Sequence, residues 1–153
     1  MRIREFLAAG VMAALLAAPA AAKPLFVGIP DNLTGLDPTN VNDTLSQTSL
    51  RLVYQGLFGF DRDMKLLPLL AESYEANADA TVFTFRLRKG VKFHDGTDFD
   101  AAAVKFNIER LANPENKLSR RSLVSMVDHV EVVDSHTARV ILKSPFGALP
   151  NSL

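Results

Sequence analysis

Residues 81–88, Thr-Val-Phe-Thr-Phe-Arg-Leu-Arg, alternate apolar and polar side chains. Successive side chains of an extended chain point to opposite faces, so Phe83, Phe85 and Leu87 share one face while Thr84, Arg86 and Arg88 share the other. This is a half-buried strand. Any fold that holds it must place an apolar layer against one of its faces.

The segments around it follow from the same local rules. Lys89-Gly90 bends the chain into Val91-Lys92-Phe93, and His94-Asp95-Gly96-Thr97 turns it again. A helix then begins with its start written out: Asp100 is the N-cap, Phe99 and Val104 form a hydrophobic staple, and Ala101 to Ala103 are strong helix formers. Val104, Ile108 and Leu111 fall at i, i+4 and i+7 and give it one apolar stripe until Asn113-Pro114 ends it. Further on, Val130–Val133 and Thr137–Lys143 predict a hairpin joined by Asp134-Ser135-His136, with Ala138, Val140 and Leu142 on one face. Ser144-Pro145-Phe146-Gly147 breaks the second strand, and an apolar tail follows.

Upstream, Pro24 to Pro30 reads as a short buried strand that empties into the turn-rich loop Asp31-Asn32-Leu33-Thr34-Gly35. Thr44 and Gln47 have the S/T-x-x-Q spacing of a capping box, and a helix is predicted from about Asp43 to Gln55. Phe58 and Phe60 alternate with small or polar neighbours in a second short strand, which Asp61-Arg62-Asp63 turns back.

The first twenty-two residues differ in kind. Met1-Arg2-Ile3-Arg4 is basic, Phe6 to Ala18 is apolar or small throughout, and Ala20-Ala21-Ala22 offers an A-x-A cleavage site ahead of Lys23. Thirteen helical residues reach only roughly 20 Å, short of the roughly 30 Å hydrocarbon core of a bilayer. Residues 1–22 are therefore expected to be a secretory signal peptide, with 23–153 as the exported domain. Cysteine is absent, which excludes both a disulfide-stapled scaffold and a lipid anchor on an N-terminal Cys. Without Arg2, Arg4 and Glu5 the chain carries 15 basic and 16 acidic residues and no block of like charge. Nucleic acid and anionic membranes are thus poor partners.

Catalytic constellations are hard to find. There is no G-x-S-x-G, no H-E-x-x-H, no G-x-x-x-x-G-K and no thiol. His94 and His136 fall in predicted turns and His129 just before a strand, with none of the usual metal-ligand spacings, so no metal or other cofactor is expected. Asp95, Asp98 and Asp100 each have a structural task available, as turn residue, loop residue and N-cap, and they lack the EF-hand spacing. Gly56 and Gly59 are only two glycines near a strand. Asn32-Leu33-Thr34 and Asn42-Asp43-Thr44 match the N-glycosylation sequon, a pattern frequent by chance.

A series of motifs does carry a resemblance. Tyr54-Gln55-Gly56-Leu57-Phe58-Gly59-Phe60-Asp61, then Leu66-x-Pro68-x-Leu70-Ala71-Glu72-Ser73, then Phe83 to Thr97, then Ala101 to Arg110, resembles the N-terminal part of the family 5 solute-binding proteins. These are the extracytoplasmic receptors of dipeptide, oligopeptide, glutathione and nickel ABC importers. The resemblance covers essentially all of residues 23–153. Leu36-Asp37-Pro38 followed by Asn42-Asp43-Thr44-Leu45-Ser46-Gln47 is most similar to the glutathione-binding branch.

What the resemblance implies is a truncated α/β chain: the N-terminal part of a two-lobed periplasmic-binding-protein fold of type II with an extra subdomain. Residues 23–56 would begin the first lobe and 57–153 the added subdomain, with the family's further ligand-gripping positions downstream of Leu153. A monomeric periplasmic receptor is implied, without catalysis, that captures glutathione or a short peptide and docks on a membrane permease. Dipeptide, oligopeptide and nickel receptors are the alternatives within the family, and a fragment without function is another. The resemblance also implies that Asn32, Leu33, Thr34, Asp43, Thr44 and Ser46 line or support one wall of the ligand cleft. For Thr44 and Gln47, helix capping competes with direct ligand contact. A secreted enzyme would need an unrecognised site, and an adhesive module would need repeats or apolar stripes that are missing.

Overall fold

In the computed structural model Gly28 and residues 31–153 are described. The signal peptide over 1–22 and the strand expected from Pro24 to Pro30 lie outside the described residues, Gly28 excepted.

The alternating stretch becomes β4 (Val82–Leu87), and it is central to a four-stranded antiparallel sheet. Its neighbours are β3 (Ala71–Ala76) and β6 (Thr137–Leu142), and β5 (Val127–Asp134) completes the order β3-β4-β6-β5. Phe83 faces Val140 and Phe85 faces Ala138 across the β4–β6 ladder. Phe83, Phe85, Leu87, Ala138, Val140 and Leu142 are all buried, as the alternation in both strands requires. The β5–β6 hairpin turns through Ser135 and His136, where the Asp134 carboxylate accepts the His136 amide at 2.7 Å. His129 therefore lies inside β5 rather than ahead of it.

The predicted helix is α2 (Ala101–Ala112), and its start follows the sequence rules: the Asp100 carboxylate accepts the Ala103 amide at 2.8 Å. Phe99, Ala101, Val104 and Ile108 are buried in the same apolar cluster as the sheet residues, with Leu111 partly buried against it. Two polar groups on this helix serve the sheet's outer edge. The Glu109 carboxylate accepts the Val130 amide at 2.9 Å, and the Lys105 ammonium donates to the Val130 carbonyl. Backbone groups of an edge strand that would otherwise be open to pairing are thereby occupied.

Two strands have no counterpart among the sequence expectations. β2 (Leu66–Pro68) pairs with β1 (Phe58–Phe60) in a separate two-stranded sheet, closed by the predicted Asp61 turn, in which one carboxylate oxygen accepts the Asp63 and Lys65 amides. β3 reads Ala-Glu-Ser-Tyr-Glu-Ala and buries only Ala71. An edge strand exposed on both faces has no apolar period to display.

α1 spans Thr44–Leu50, shorter than the helix predicted to Gln55. After Leu50 the amides of Leu52 and Val53 bond three residues back, to Ser49 and Leu50, so the last turn tightens and closes. Residues 31–153 form one compact unit, and the 37–40 loop is fastened to the far side of α2. Arg110 donates to the Asp37 carboxylate and to the Thr39 hydroxyl, and Ser119 donates to the Asn40 side chain at 2.9 Å. No helix among the described residues is long and apolar enough to cross a membrane.

Candidate functional site

The expected ligand wall divides into a joined and a separate set. Thr34, Asp43 and Ser46 come together. The Thr34 amide donates to the Ser46 hydroxyl at 2.9 Å, the Thr34 hydroxyl donates to one Asp43 oxygen, and the Ser46 amide donates to the other at 2.7 Å. Ser46 is fully buried, while Asp43 is half-buried and Thr34 exposed. Asn32, Leu33 and Thr44 stand exposed outside this knot.

The capping expectation is corrected here. Asp43, not Thr44, is the N-cap of α1, because its carboxylate reaches the free amide of Ser46 three residues on. Thr44 moves to the first helical position and Gln47 takes no part in a capping box. A carboxylate one residue earlier is the stronger acceptor, and its second oxygen secures the Asp31–Gly35 loop as well.

The electrostatics agree with the geometry. The Thr34 hydroxyl, then the Ser46 amide, stabilise the charged Asp43 carboxylate and lower its pKa from the ordinary 3.8 to about 2. Asp37 is also lowered: partial burial pushes it up, but the Thr39 hydroxyl and amide and the Arg110 guanidinium outweigh that. A folded-state pKa depressed in this way stabilises the fold above the unfolded value and loses that effect as pH falls through the folded value. Asp43→Ala should therefore lower stability by a constant amount above about pH 4, and the gap to wild type should close as pH approaches 2. Urea melts across that range test it; a gap that persists to about pH 2 would show that the ionised carboxylate is not what holds the loop.

The remaining candidates take structural places. Asp95 accepts the Thr97 amide at 2.9 Å and its hydroxyl at 2.7 Å, Asp98 pairs with exposed Lys92, and Asp100 is the cap. His129 bonds Asp128 and His136 bonds the Ser135 hydroxyl. Among the described residues no three His, Asp or Glu side chains converge as metal ligands. Gly56 has a use that composition hides: a Cβ there would lie 2.9 Å from the Leu153 carbonyl oxygen and 3.0 Å from that of Phe58, so the passing backbone requires glycine.

A feature that sequence patterns do not reveal is a shallow groove of about 420 Å³ between the 36–39 loop, the end of α1 and the outer face of α2, lined by Leu36, Tyr54 and Phe106 with Arg110 at its side. Its one sequence signal is Phe106, an aromatic on the helix face where polar residues are expected.

The model of the bacterial extracellular solute-binding proteins, family 5 Middle, matches residues 65–153, and the chain belongs to this family. Over 98% of its length it is 50% identical to the glutathione-binding protein GsiB of Pectobacterium atrosepticum, and over 95% it is 48% identical to that of Escherichia coli K12. It spans 29% of the length of each. Among solved structures, NikZ of Campylobacter jejuni in complex with Ni(L-His) superposes on 80% of this chain at TM-score 0.74 and 31% identity. AgaA of A. tumefacien R10, in complex with agropinic acid, superposes on 80% at TM-score 0.75 and 37% identity. The chain covers 24% and 25% of those two, so its architecture is that of a part of the family fold.

Proposed function

We propose that this chain is the N-terminal portion of a periplasmic glutathione receptor that delivers its ligand to an ABC permease in the inner membrane. The observation that carries the reading is the 50% identity to GsiB along nearly the whole chain, against 31% and 37% to the nickel- and agropinate-holding structures. Residues 1–22 act as the export signal, a reading supported by their basic start, apolar run and Ala20-Ala21-Ala22 before Lys23. Residues 23–56 open the first lobe and 57–153 the added subdomain. No covalent chemistry is assigned to it, and it works as a monomer.

In this reading the Thr34–Asp43–Ser46 knot supports the cleft wall rather than gripping the ligand, since its groups already satisfy one another. Asn32, Leu33 and the exposed Thr44 are the positions left to face the ligand. Micromolar binding corresponds to about −8 kcal/mol, and a ligand on a single wall lacks the opposite wall's charge-assisted bonds and the exclusion of water. Isolated from a Gram-negative periplasm, the chain should begin at Lys23 by mass spectrometry. In titration calorimetry it should bind glutathione no better than about millimolar, and a version extended with the rest of the GsiB sequence should reach about micromolar. Micromolar binding by the short chain would overturn the one-wall account, and preference of the extended chain for a dipeptide or Ni(II)–histidine would overturn the choice of ligand.

A further inference from the structure

The two edges of the four-stranded sheet are protected by different means. β3 carries Glu72 and Glu75 and a register shift between Ala71 and Ser73, so a second strand laid beside it would meet fixed charges and a broken ladder. β5 lacks this defence. Its Glu131 is matched by Arg139 of β6 at 3.1 Å and its Asp128 by His129 at 2.9 Å, while Val132 and Val133 remain exposed. Val130-Glu131-Val132-Val133 is rich in the β-branched residues that pair readily with another strand. Register shifts between Val127 and His129 and between Val132 and Asp134 leave only residues 129–132 in regular register with β6. In an antiparallel ladder every second residue turns both its amide and its carbonyl outward, and within that stretch these are Val130 and Val132. The Val130 groups are the ones that α2 occupies. The amide donates to Glu109 at 2.9 Å, and the carbonyl accepts from Lys105, which also holds Glu109 at 2.7 Å. Set at i and i+4 on the helix, the two side chains supply the acceptor and the donor that a neighbouring strand would offer. Val132 is then left alone, and the bonds of one residue do not offset the cost of bringing two chains together.

We propose that the Lys105–Glu109 pair is an edge guard that keeps this chain from pairing with a second copy of itself through β5. With the guard removed, each β5 offers the outward groups of both Val130 and Val132, and two such strands lie antiparallel about a twofold axis, joining two four-stranded sheets into one continuous sheet. The partner is a second copy because the stretch complements itself: an antiparallel pair sets the exposed Val132 of one strand against the same short apolar stretch of the other, and the strand's own charges are already matched within each chain. The inference rests on the geometry of the β5 edge and is independent of which solute is bound.

The test is sedimentation velocity and amide hydrogen exchange on the purified chain and on its Lys105→Ala, Glu109→Ala double variant. Wild type should stay monomeric at about millimolar concentration, whereas the double variant should dimerise at that concentration or below. In dilute solution the Val130 amide of the variant should exchange more than about tenfold faster than that of wild type. Adding Val132→Lys should disperse the dimer, since a charge on an open edge opposes pairing. Glu109→Gln alone keeps an acceptor for the Val130 amide and should remain monomeric. If the double variant does not fold, Glu109→Ala alone frees the same amide and carries the same expectations. A folded variant that stays monomeric, an unchanged Val130 exchange rate, a dimer that Val132→Lys leaves intact, or a wild type that dimerises as strongly as the variant would each overturn the proposal.

Discussion

Phe85→Ala is expected to destabilise the chain by about 3–5 kcal/mol, and to lower its melting temperature by roughly 10–20 °C. Phe85 is completely buried, with its ring 6.0 Å from that of Phe58, 6.1 Å from Tyr74 and 6.3 Å from Phe83. Alanine would remove its transfer free energy and leave a void that three rings held by separate strands cannot close. Such a loss is a large share of the roughly 5–15 kcal/mol that holds a small domain together. One residue on, Arg86→Ala should cost under about 0.5 kcal/mol, because its pair with Glu75 is 3.6 Å long and lies mostly in water. Urea melts of both variants decide the matter. Equal small effects would contradict the register that sets Phe85 against Ala138.

Leu149→Ala should cost about 2–5 kcal/mol. The residue lies in the short 3-10 turn Leu149–Ser152, which packs on β1 and on the turn Arg121–Val124, and it is fully buried in the cluster that holds Phe58 and Val124. The same segment is tied to β1 through its backbone, since the Phe58 amide donates to the Leu153 carbonyl. The loss should therefore exceed that of Leu153→Ala, whose side chain is only partly buried. Chemical denaturation of the pair measures it. A Leu149 effect under about 1 kcal/mol would mean that residues 143–153 do not complete the core.

These two residues mark how far the sequence can be read. Phe85 sits in an alternating run with a polar face opposite, so its burial is legible from the chain alone. Leu149 sits in an apolar tail after a broken strand, and nothing local tells a buried leucine from an exposed one there. The same division runs through the candidate site. Asp100 is legible as a cap because a staple and strong helix formers surround it, whereas near residue 43 two capping patterns overlap by one residue. Choosing between Asp43 and Thr44 depends on where the Thr34 loop lies, nine residues away.

By itself the sequence determined the elements whose side chains obey a period: β4, β6, the start and apolar stripe of α2, and the turns at Asp61 and Asp134. Its motif series was also enough to indicate the family, since such a series depends only on order and spacing along the chain. The tertiary structure alone decided the unperiodic edge strand β3, the knot of Thr34 with Asp43 and Ser46, and the groove of Leu36, Tyr54 and Phe106. Each of these is set by partners distant in sequence. Local pattern reports which face of an element is apolar, but only the packed chain determines which apolar faces find cover and which remain open.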